Sequence, residues 1–279
     1  MSLIPTWQVR NMSKRSPASP VNRKKRGRSL SRIINAQSPK VSVIIPAMNE
    51  AKTIAAVIRQ ASQVHSATEV IVVANGSTDG TADIAQSIGA RVIHLPFPLG
   101  HDVGRSIGAA AARGDILLFT DADIVIKTSD LTPLTKAVEE GVDVALNKYL
   151  GPIDKHHVHS VILAKHTLNI LVSNPDLKGA SLTTIPHAMS RKAVYLIGID
   201  NLAVPPKAQA MAIYNGLKVR GIHYVDVGKR NPRRGRTRGN DPLETLIVGD
   251  HLEAIDWLIS KSGMRGNRSD LARKRESVW

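Results

Sequence analysis

Apolar and polar positions follow two different periods along this chain, and the change of period marks the predicted elements. Residues 41–46 form an almost continuous run of strand-forming side chains, which is typical of a strand buried on both faces of a parallel sheet. Residues 50–63 then carry apolar side chains at helical spacing. Further strands are predicted at 69–73, 90–95 and 115–120, and further helices at 81–88 and 103–112. This alternation predicts an α/β fold with a mostly parallel twisted sheet flanked by helices.

Polar and turn-forming residues stand directly after three of the predicted strands. These segments are residues 46–50, 74–79 and 121–123. In open sheets of this kind, ligands bind in the crevice beyond the carboxyl ends of the strands. The periodicity therefore predicts that the three segments meet at one ligand-binding crevice.

Asp121 and Asp123 follow the last of these strands with a single residue between them. Residues two apart in an extended segment point the same way, so both carboxylates can address one point. Two neighbouring carboxylates repel, and a divalent cation removes that conflict. Hard oxygen ligands favour Mg²⁺ or Mn²⁺, which would stabilise a departing diphosphate. The alternative is a pair of loop carboxylates that caps a turn.

Three segments of the chain resemble the signatures of the family-2 glycosyltransferases, in their expected order and spacing. The segments are residues 43–50 (VIIPAMNE), residues 75–81 (NGSTDGT) and residues 114–123 (GDILLFTDAD). The resemblance covers about residues 41–150. It implies the GT-A fold, a nucleotide-diphosphate sugar as donor, and a metal held by Asp121 and Asp123.

The same resemblance implies roles for the residues around the crevice. Pro46 and Glu50 would line the nucleoside pocket, Asn75 would face the base, and Asp79 would shape that wall. Arg105 would approach the donor, and Asp121 would lie near both the ribose and the metal. Glu50 has an alternative interpretation as an acid at a helix N-terminus, and Asn75 and Asp79 as turn-forming residues beside glycines.

One departure concerns the base pocket, where many relatives have two aspartates and this chain has Ala74 and Asn75. An Asn carbonyl accepts a hydrogen bond from the N–H of uracil, and its amide donates one. A UDP-sugar is therefore favoured without being required.

The second half of the chain is less informative. Residues 174–180 and 186–192 are similar to the acceptor region of glucosyl-3-phosphoglycerate synthases, a retaining branch of the superfamily. Inverting members usually carry an acidic residue, often in a Glu-Asp pair, as general base, and residues 180–220 contain no such pair. Either the base lies elsewhere or the reaction retains configuration.

Several residues of this half are candidates for the remaining roles. Asp250 and His251, together with Asp123, are candidates for catalysis. His223 is a candidate third metal ligand, because histidine binds metals and shuttles protons near neutral pH. A structural role is the alternative for each histidine, and Asp250 has a second interpretation as the N-cap of a following helix. The candidates for binding an acceptor or a phosphate are His187, Arg191, Lys229 and Arg230.

The net charge of +15 is concentrated in short segments of the chain. Residues 1–40 contribute +10, residues 228–240 contribute +6, and residues 41–227 sum to zero. Residues 1–40 lack apolar periodicity and predict a disordered basic tail, which either contacts anionic lipid or nucleic acid or only solubilises the protein. Residues 228–240 predict a basic loop that closes over an anionic donor or a phosphorylated or otherwise anionic acceptor.

These features predict a catalytic domain over residues 41–260, with a nucleotide-sugar-binding half at 41–125, an acceptor half at 126–260 and a basic C-terminal tail at 261–279. The chain has no cysteine, which excludes disulfides and thiol catalysis, and no apolar run of membrane-spanning length. We expect a cytoplasmic protein, with peripheral membrane contact through its tail. The rival functions are a basic protein that binds nucleic acid or membranes and has a non-catalytic sugar-nucleotide domain, and a nucleotidyltransferase, whose Gly-rich, Lys-containing opening is absent here.

Overall fold

Strands and helices alternate through the described part of the chain, much as the apolar pattern predicts. The structure is a computed structural model, and it describes residues 32–153, 156–230 and 242–278. Its strands are β1 Val41–Ala47, β2 Thr68–Asn75, β3 Arg91–Leu95, β4 Ile116–Phe119, β5 Val144–Asn147, β6 His187–Ser190 and β7 Val219–His223. Its α-helices are α1 Ile54–Ala61, α2 Thr81–Ile88, α3 Val103–Ala111, α4 Thr128–Glu139, α5 Ser160–Leu171, α6 Arg191–Ile197, α7 Pro205–Tyr214, α8 Val227–Arg230 and α9 Pro242–Ser262.

The strands of the described residues form one seven-stranded sheet in the order β3-β2-β1-β4-β6-β5-β7. Only β6 runs antiparallel to its neighbours β4 and β5. Because β6 is antiparallel to both, β5 and β7 point the same way as β1 to β4. The carboxyl ends of six strands therefore lie at one edge of the sheet, which confirms the predicted α/β class.

Alternate residues of the central strands enter two separate cores. On one face, Val43 and Ile45 of β1 pack with α1, α2 and α4 through residues such as Ile54 and Leu131. On the other face, Ile44 of β1 packs with α3, α6 and α7. A strand covered on both sides needs apolar side chains at every position, which explains why residues 41–46 show no alternation.

Helix α3 lies unusually close to the sheet because two of its residues are glycines. A Cβ atom on Gly108 would lie 2.3 Å from Cγ2 of Ile44, and one on Gly104 would lie 3.1 Å from Cβ of Pro46. The helix therefore packs its backbone onto β1 and β2. This contact brings Arg105, between the two glycines, to the carboxyl edge of the sheet.

Residues 32–40, which the sequence assigns to the basic tail, contact the fold. The amide of Ile33 donates to the carbonyl of Ile88 at 2.7 Å, and Asn35 Oδ1 accepts from the amide of Val70 at 2.8 Å. Residues 1–31, where the rest of the predicted tail lies, are outside the described residues.

The chain after α9 contacts the fold through Arg268, whose guanidinium donates to the carbonyls of Ile170 and Leu171 at 3.0 and 3.1 Å. Across the described ranges, we find no helix that combines the length and the apolar character needed to cross a bilayer.

Candidate active site

A cavity of about 330 Å³ lies at the carboxyl ends of β1 to β4. The three segments predicted to meet there all contribute to its walls, together with the loop that follows β3. Its lining residues are Pro46, Ala47, Met48, Glu50, Asn75, Pro98, Gly100, His101, Asp102, Gly104, Arg105, Asp121, Ala122 and Asp123. We call it the donor cavity.

The loop between β1 and α1 is held in place by the turn after β2. Asp79 Oδ2 accepts from the amide of Ala51 at 3.0 Å, and Oδ1 accepts from the amide of Thr81 at 3.1 Å. The hydroxyl of Thr81 and these backbone donors lower the pKa of Asp79. The hydroxyl of Thr81 also accepts from the amide of Glu50 at 2.8 Å. Asp79 therefore holds the loop between β1 and α1, which carries Glu50, although Asp79 does not itself line the cavity.

Asn75 ends β2 and fixes the loop that follows β3. Its Nδ2 donates to the carbonyl of Gly100 at 3.1 Å, and its Oδ1 accepts from the amide of Leu99 at 2.8 Å. The next residue, Gly76, has a φ of +70°, and a Cβ atom there would lie 2.5 Å from the backbone nitrogen of Pro98. The turn thus requires glycine, and Asn75 combines a place in the cavity wall with a structural role.

Arg105 connects the carboxylates of the donor cavity. The side chain is almost fully buried, and Nη1 lies 3.1 Å from Asp102 Oδ1 while Nη2 lies 3.7 Å from Asp121 Oδ1. Nη1 also donates to the carbonyl of Leu182 at 3.2 Å. Burial raises the pKa of Asp121, Arg105 opposes this shift, and the negative charges of Asp102 and Asp123 add to it. The carboxylates of Asp121 and Asp123 therefore lie close enough to influence each other.

The charges around the donor cavity suit a divalent cation. Four carboxylates line it, those of Glu50, Asp102, Asp121 and Asp123, against the single guanidinium of Arg105. A diphosphate entering this negative surrounding would be repelled unless a cation entered with it. Within the described ranges no three His, Asp or Glu side chains form a complete metal site. Asp121 and Asp123 offer carboxylate oxygens to a divalent cation, which would take further oxygen ligands from the diphosphate and from water.

Asp250 and His251 are neighbours in the chain, but their side chains have different surroundings. Burial raises the pKa of Asp250 to about 6, with contributions from the negative charges of Asp102 and Glu253 and an opposing one from His101. Asp250 is thus within electrostatic reach of the donor cavity. Both residues lie in the middle of α9, so the interpretation of Asp250 as an N-cap is wrong.

His251 points into the core, where 1% of it is exposed. Its Nδ1 lies 2.7 Å from the carbonyl of Ile247, and burial lowers its pKa to about 4. The ring is enclosed, and His251 is not among the residues that line the donor cavity. Its catalytic role stays a prediction.

His187 and Arg191, the predicted ligands of an acceptor or a phosphate, are not among the residues that line the donor cavity. The ring of His187 is buried in β6 and stacks on Phe119 with 5.0 Å between centroids. Burial and the charge of Arg105 lower its pKa to about 3. Arg191 lies at the opposite edge of the sheet, where Nε donates to the carbonyl of Gly114 at 2.9 Å and Nη2 to that of Ala112 at 3.0 Å. Both residues have structural roles.

His223 stands at the end of β7, which β6 and β5 separate from β4 in the sheet. Its Nε2 lies 3.2 Å from Asp130 Oδ1 at the start of α4, and it is not among the residues that line the donor cavity. The prediction that His223 ligates the metal is therefore not supported.

The basic segment is described only at its beginning. Lys229 is exposed on α8, and its Nζ lies 3.4 Å from Asp226 Oδ2. The side chain of Arg230 and residues 231–241, which hold most of the predicted basic loop, lie outside the described residues. The phosphate-binding role of Lys229 and Arg230 stays a prediction.

Gln209 of α7 lies in the region where the sequence shows no Glu-Asp pair. It is buried, its Nε2 donates to Asn169 Oδ1 at 2.6 Å, and its Oε1 accepts from the amide of Leu182 at 2.8 Å. An amide has no proton-accepting role in catalysis near neutral pH. Gln209 instead holds the loop whose Leu182 carbonyl contacts Arg105.

Sequence reasoning missed Asp102, whose carboxylate pairs with Arg105 in the cavity wall. The signal was available, because Asp102 follows β3 between Gly100 and Gly104, at the carboxyl edge where ligands bind. Asp102 has a left-handed backbone, with a φ of +62°, which is uncommon for a residue other than glycine. Such conformations concentrate at functional sites.

Comparison with known proteins identifies the class that this sheet and cavity represent. The model of glycosyl transferase family 2 matches residues 42–195, more than half of the chain, and includes both aspartates. The protein therefore belongs to glycosyl transferase family 2, and its fold is GT-A.

Two named relatives are similar over part of their length. The chain is 37% identical over 173 residues to 4,4'-diaponeurosporenoate glycosyltransferase of Staphylococcus haemolyticus. It is 32% identical over 136 residues to glucosyl-3-phosphoglycerate synthase of Mycobacterium tuberculosis. The matches take in 56% and 44% of this chain, and they span less than half of each relative, 45% and 42%.

The solved structures of the mycobacterial synthase share the fold. A complex with Mn²⁺, UDP and glucosyl-3-phosphoglycerate has a TM-score of 0.55 and 23% identity, covering 81% of this chain and 80% of the synthase chain. A complex with Mn²⁺, UDP-glucose and phosphoglyceric acid has a TM-score of 0.55 and 20% identity, covering 78% and 80%. This likeness confirms the GT-A fold that the sequence predicts.

Proposed function

We propose that this protein transfers a glycosyl group from a nucleoside-diphosphate sugar, with a UDP-sugar favoured, to an anionic acceptor. The observation that carries this proposal is the donor cavity, in which Asp121 and Asp123 lie beside Arg105 at the carboxyl edge of the sheet. Family membership supports the reaction class. The Mn²⁺ and UDP-glucose in complexes of the mycobacterial synthase support the choice of metal and donor.

Different lining residues would contact different parts of the donor. Pro46, Glu50 and Asn75, from the ends of β1 and β2, would surround the nucleoside. Asp121 and Asp123 would hold Mn²⁺ or Mg²⁺, which when bound neutralises charge on the leaving diphosphate. Arg105 would keep the carboxylate of Asp121 directed into the cavity, because its guanidinium is fixed by Asp102 and the Leu182 carbonyl.

In the reaction, the bond between the anomeric carbon and the β-phosphate oxygen breaks, and the nucleoside diphosphate leaves with the electron pair. A hydroxyl oxygen of the acceptor forms the new bond to the anomeric carbon, and its proton passes to a general base. Asp250 is the described carboxylate near the cavity whose raised pKa of about 6 suits a proton acceptor near neutral pH. We propose it as the general base, in place of the pair that residues 180–220 lack.

The donor assignment is tested by thermal denaturation with UDP, GDP, ADP and CDP, each with and without Mn²⁺. We expect UDP with Mn²⁺ to raise the melting temperature most, since a ligand that binds only the native state stabilises it. If no nucleoside diphosphate shifts the melting temperature in the presence of Mn²⁺ or Mg²⁺, the proposed function is wrong.

Asp123→Ala tests the metal site. We expect a fall of about a hundredfold or more in the rate of UDP-glucose turnover, with the circular dichroism spectrum unchanged, because the carboxylate lies in the cavity wall and not in the core. Asp83→Ala is the matched control, an exposed aspartate in the first turn of α2. Full turnover of the Asp123 variant in excess chelator would show that these roles are misassigned.

A further inference from the structure

A second cavity, of about 250 Å³, lies between the loop after β5, helix α5 and the beginning of α9. Since β5 runs in the same direction as β4, both cavities lie beyond the carboxyl ends of strands in one sheet. Most of its walls are apolar. The lining residues are Tyr149, Leu150, Gly151, Pro152, His159, Val161, Ile162, Lys165, Leu243, Glu244 and Ile247. We call it the acceptor groove.

The loop formed by residues 182–184 connects the acceptor groove to the donor cavity. Lys165 lines the groove, and its Nζ donates to the hydroxyl of Thr184 at 2.7 Å. Arg105 lines the donor cavity and donates to the carbonyl of Leu182 in the same loop. Burial and the nearby charge of Arg105 lower the pKa of Lys165 to about 8. The ammonium group of Lys165 therefore lies at the end of the groove that is nearer to the donor cavity.

Lys165 is the cation of the groove that has no carboxylate partner among the described residues. The other charged groups of the groove satisfy each other, because His159 Nε2 lies 3.3 Å from Glu244 Oε2 and Ser160 donates to Glu244. A partly buried ammonium without a counter-ion costs free energy, and an anionic ligand group placed beside it would lower that cost. One cation and one hydroxyl suit a group with a single negative charge.

We propose that the acceptor groove binds an amphipathic monocarboxylic acid, with the carboxylate at Lys165 and Thr184 and the apolar part between α5 and α9. The cavity is smaller than a typical whole-ligand pocket, so it would hold the portion of the acceptor next to its acidic end. This inference rests on the proposed function, which it narrows from an anionic acceptor to one class. A small polyanion such as a phosphorylated acid would leave the apolar walls without a partner.

Calorimetric titration of the full chain with octanoate tests the proposal. We expect octanoate to bind at least tenfold more tightly than octan-1-ol, which lacks the charge, and than 3-phosphoglycerate, which lacks the alkyl chain. Lys165→Gln removes the counter-ion and should weaken octanoate binding about tenfold. Lys261→Gln, at the far end of α9, is the matched control and should leave the affinity unchanged.

A second pair of variants tests the apolar walls. Val161→Trp fills the groove and should abolish octanoate binding, whereas Leu163→Trp, on the exposed side of the same helix, should not affect it. Binding of UDP with Mn²⁺ should be equal in all four variants and the wild type, which also verifies that they are folded.

The outcomes separate the two proposals. If UDP and Mn²⁺ bind but octanoate does not, or if 3-phosphoglycerate binds as tightly as octanoate, the acceptor class is wrong and the donor assignment stands. If Lys165→Gln, Val161→Trp and the wild type bound octanoate with equal affinity, the proposal that the acceptor groove binds it would also be wrong. If UDP fails to bind to the wild type, the proposed function fails first.

Discussion

At the scale of single residues, Asp102 and Arg105 determine how the acidic groups of the donor cavity are presented. Arg105 is almost fully buried, and two carboxylates and the Leu182 carbonyl stabilise its charge. A buried guanidinium with several fixed partners has little freedom to move. The partner of the Asp121 carboxylate is therefore Arg105 of α3. A motif around residues 121–123 does not contain this arginine.

Asp250 gives a prediction about pH. Because its pKa in the folded protein, about 6, lies above the ordinary 3.8, the native state binds its proton more tightly than the unfolded state does. The carboxylate therefore costs stability as the pH rises through this interval. We expect Asp250→Asn to stabilise the protein by about 1 kcal/mol at pH 7, after discounting for solvent screening, and to have little effect at pH 4.

The same substitution should lower turnover and remove the rise in rate between about pH 5 and 7 that a base of this pKa produces. Thermal melts at the two pH values and a pH–rate profile measure both effects. Asp256→Asn, an exposed aspartate on the same helix, is the comparison variant. An unchanged pH–rate profile in Asp250→Asn would remove Asp250 from the mechanism.

At the scale of the elements, helix α3 is positioned by its glycines. Gly108 has no room for a Cβ atom, which would lie 2.3 Å from Cγ2 of Ile44, whereas a Cβ on Gly249 in α9 would meet no atom within 4 Å. The same change at these two helical positions should therefore have opposite effects. We expect Gly108→Ala to destabilise the fold by about 1–3 kcal/mol through overpacking.

Gly249→Ala should stabilise the protein by about 0.5–1 kcal/mol, because alanine loses less backbone entropy in a helix. Chemical denaturation of both variants measures the difference. Gly108→Ala should also reduce donor turnover, since the displaced helix carries Arg105. Equal stability of the two variants would mean that α3 does not depend on this close contact.

At the scale of the whole molecule, one buried carboxylate ties together the strands beneath the site. Glu69 of β2 accepts from the hydroxyl of Ser42 in β1 at 2.7 Å and pairs with Arg113 before β4 at 2.9 Å and with Arg91 of β3 at 3.5 Å. Burial by itself raises the pKa of Glu69, but the hydrogen bonds from Ser42 and Arg113 outweigh burial and lower it below 4.5.

A lowered pKa means that the stabilisation from Glu69 is present above the ordinary pKa and is lost as the pH falls through the native one. We expect Glu69→Gln to lower the free energy of unfolding by about 2 kcal/mol at pH 7. The difference between the variant and the wild type should shrink as the pH falls below 4.5. Urea denaturation from pH 7 to pH 3 measures this, and a constant difference across that range would contradict the assignment.

The basic residues 1–31 give a prediction for the whole chain. They carry a charge of +8, whereas residues 41–227 are neutral overall. We expect deletion of 1–31 to leave UDP-glucose turnover unchanged and to reduce binding to vesicles of anionic lipid, because electrostatic attraction to such lipids scales with the number of basic residues. Loss of turnover in the shortened chain would instead give the segment a role in catalysis.

The sequence by itself determined the α/β class, and it predicted the donor half of the site. Strands buried on both faces must be apolar throughout, and ligand-binding residues must stand directly after them, so both are visible in short stretches such as residues 41–50 and 116–123. These are local consequences of sheet geometry, and they need no knowledge of distant contacts.

Only the tertiary structure decided which of the remaining polar residues belong with that site. His187 and Arg191 became structural because β6 enters the sheet antiparallel, which buries the first and carries the second to the opposite edge. On α9, the side chain of His251 is buried in the core, whereas that of its neighbour Asp250 is partly exposed. Lys165 and Arg105 met through the loop at residues 182–184. Such placements depend on packing between segments far apart in the chain, and no local pattern encodes them.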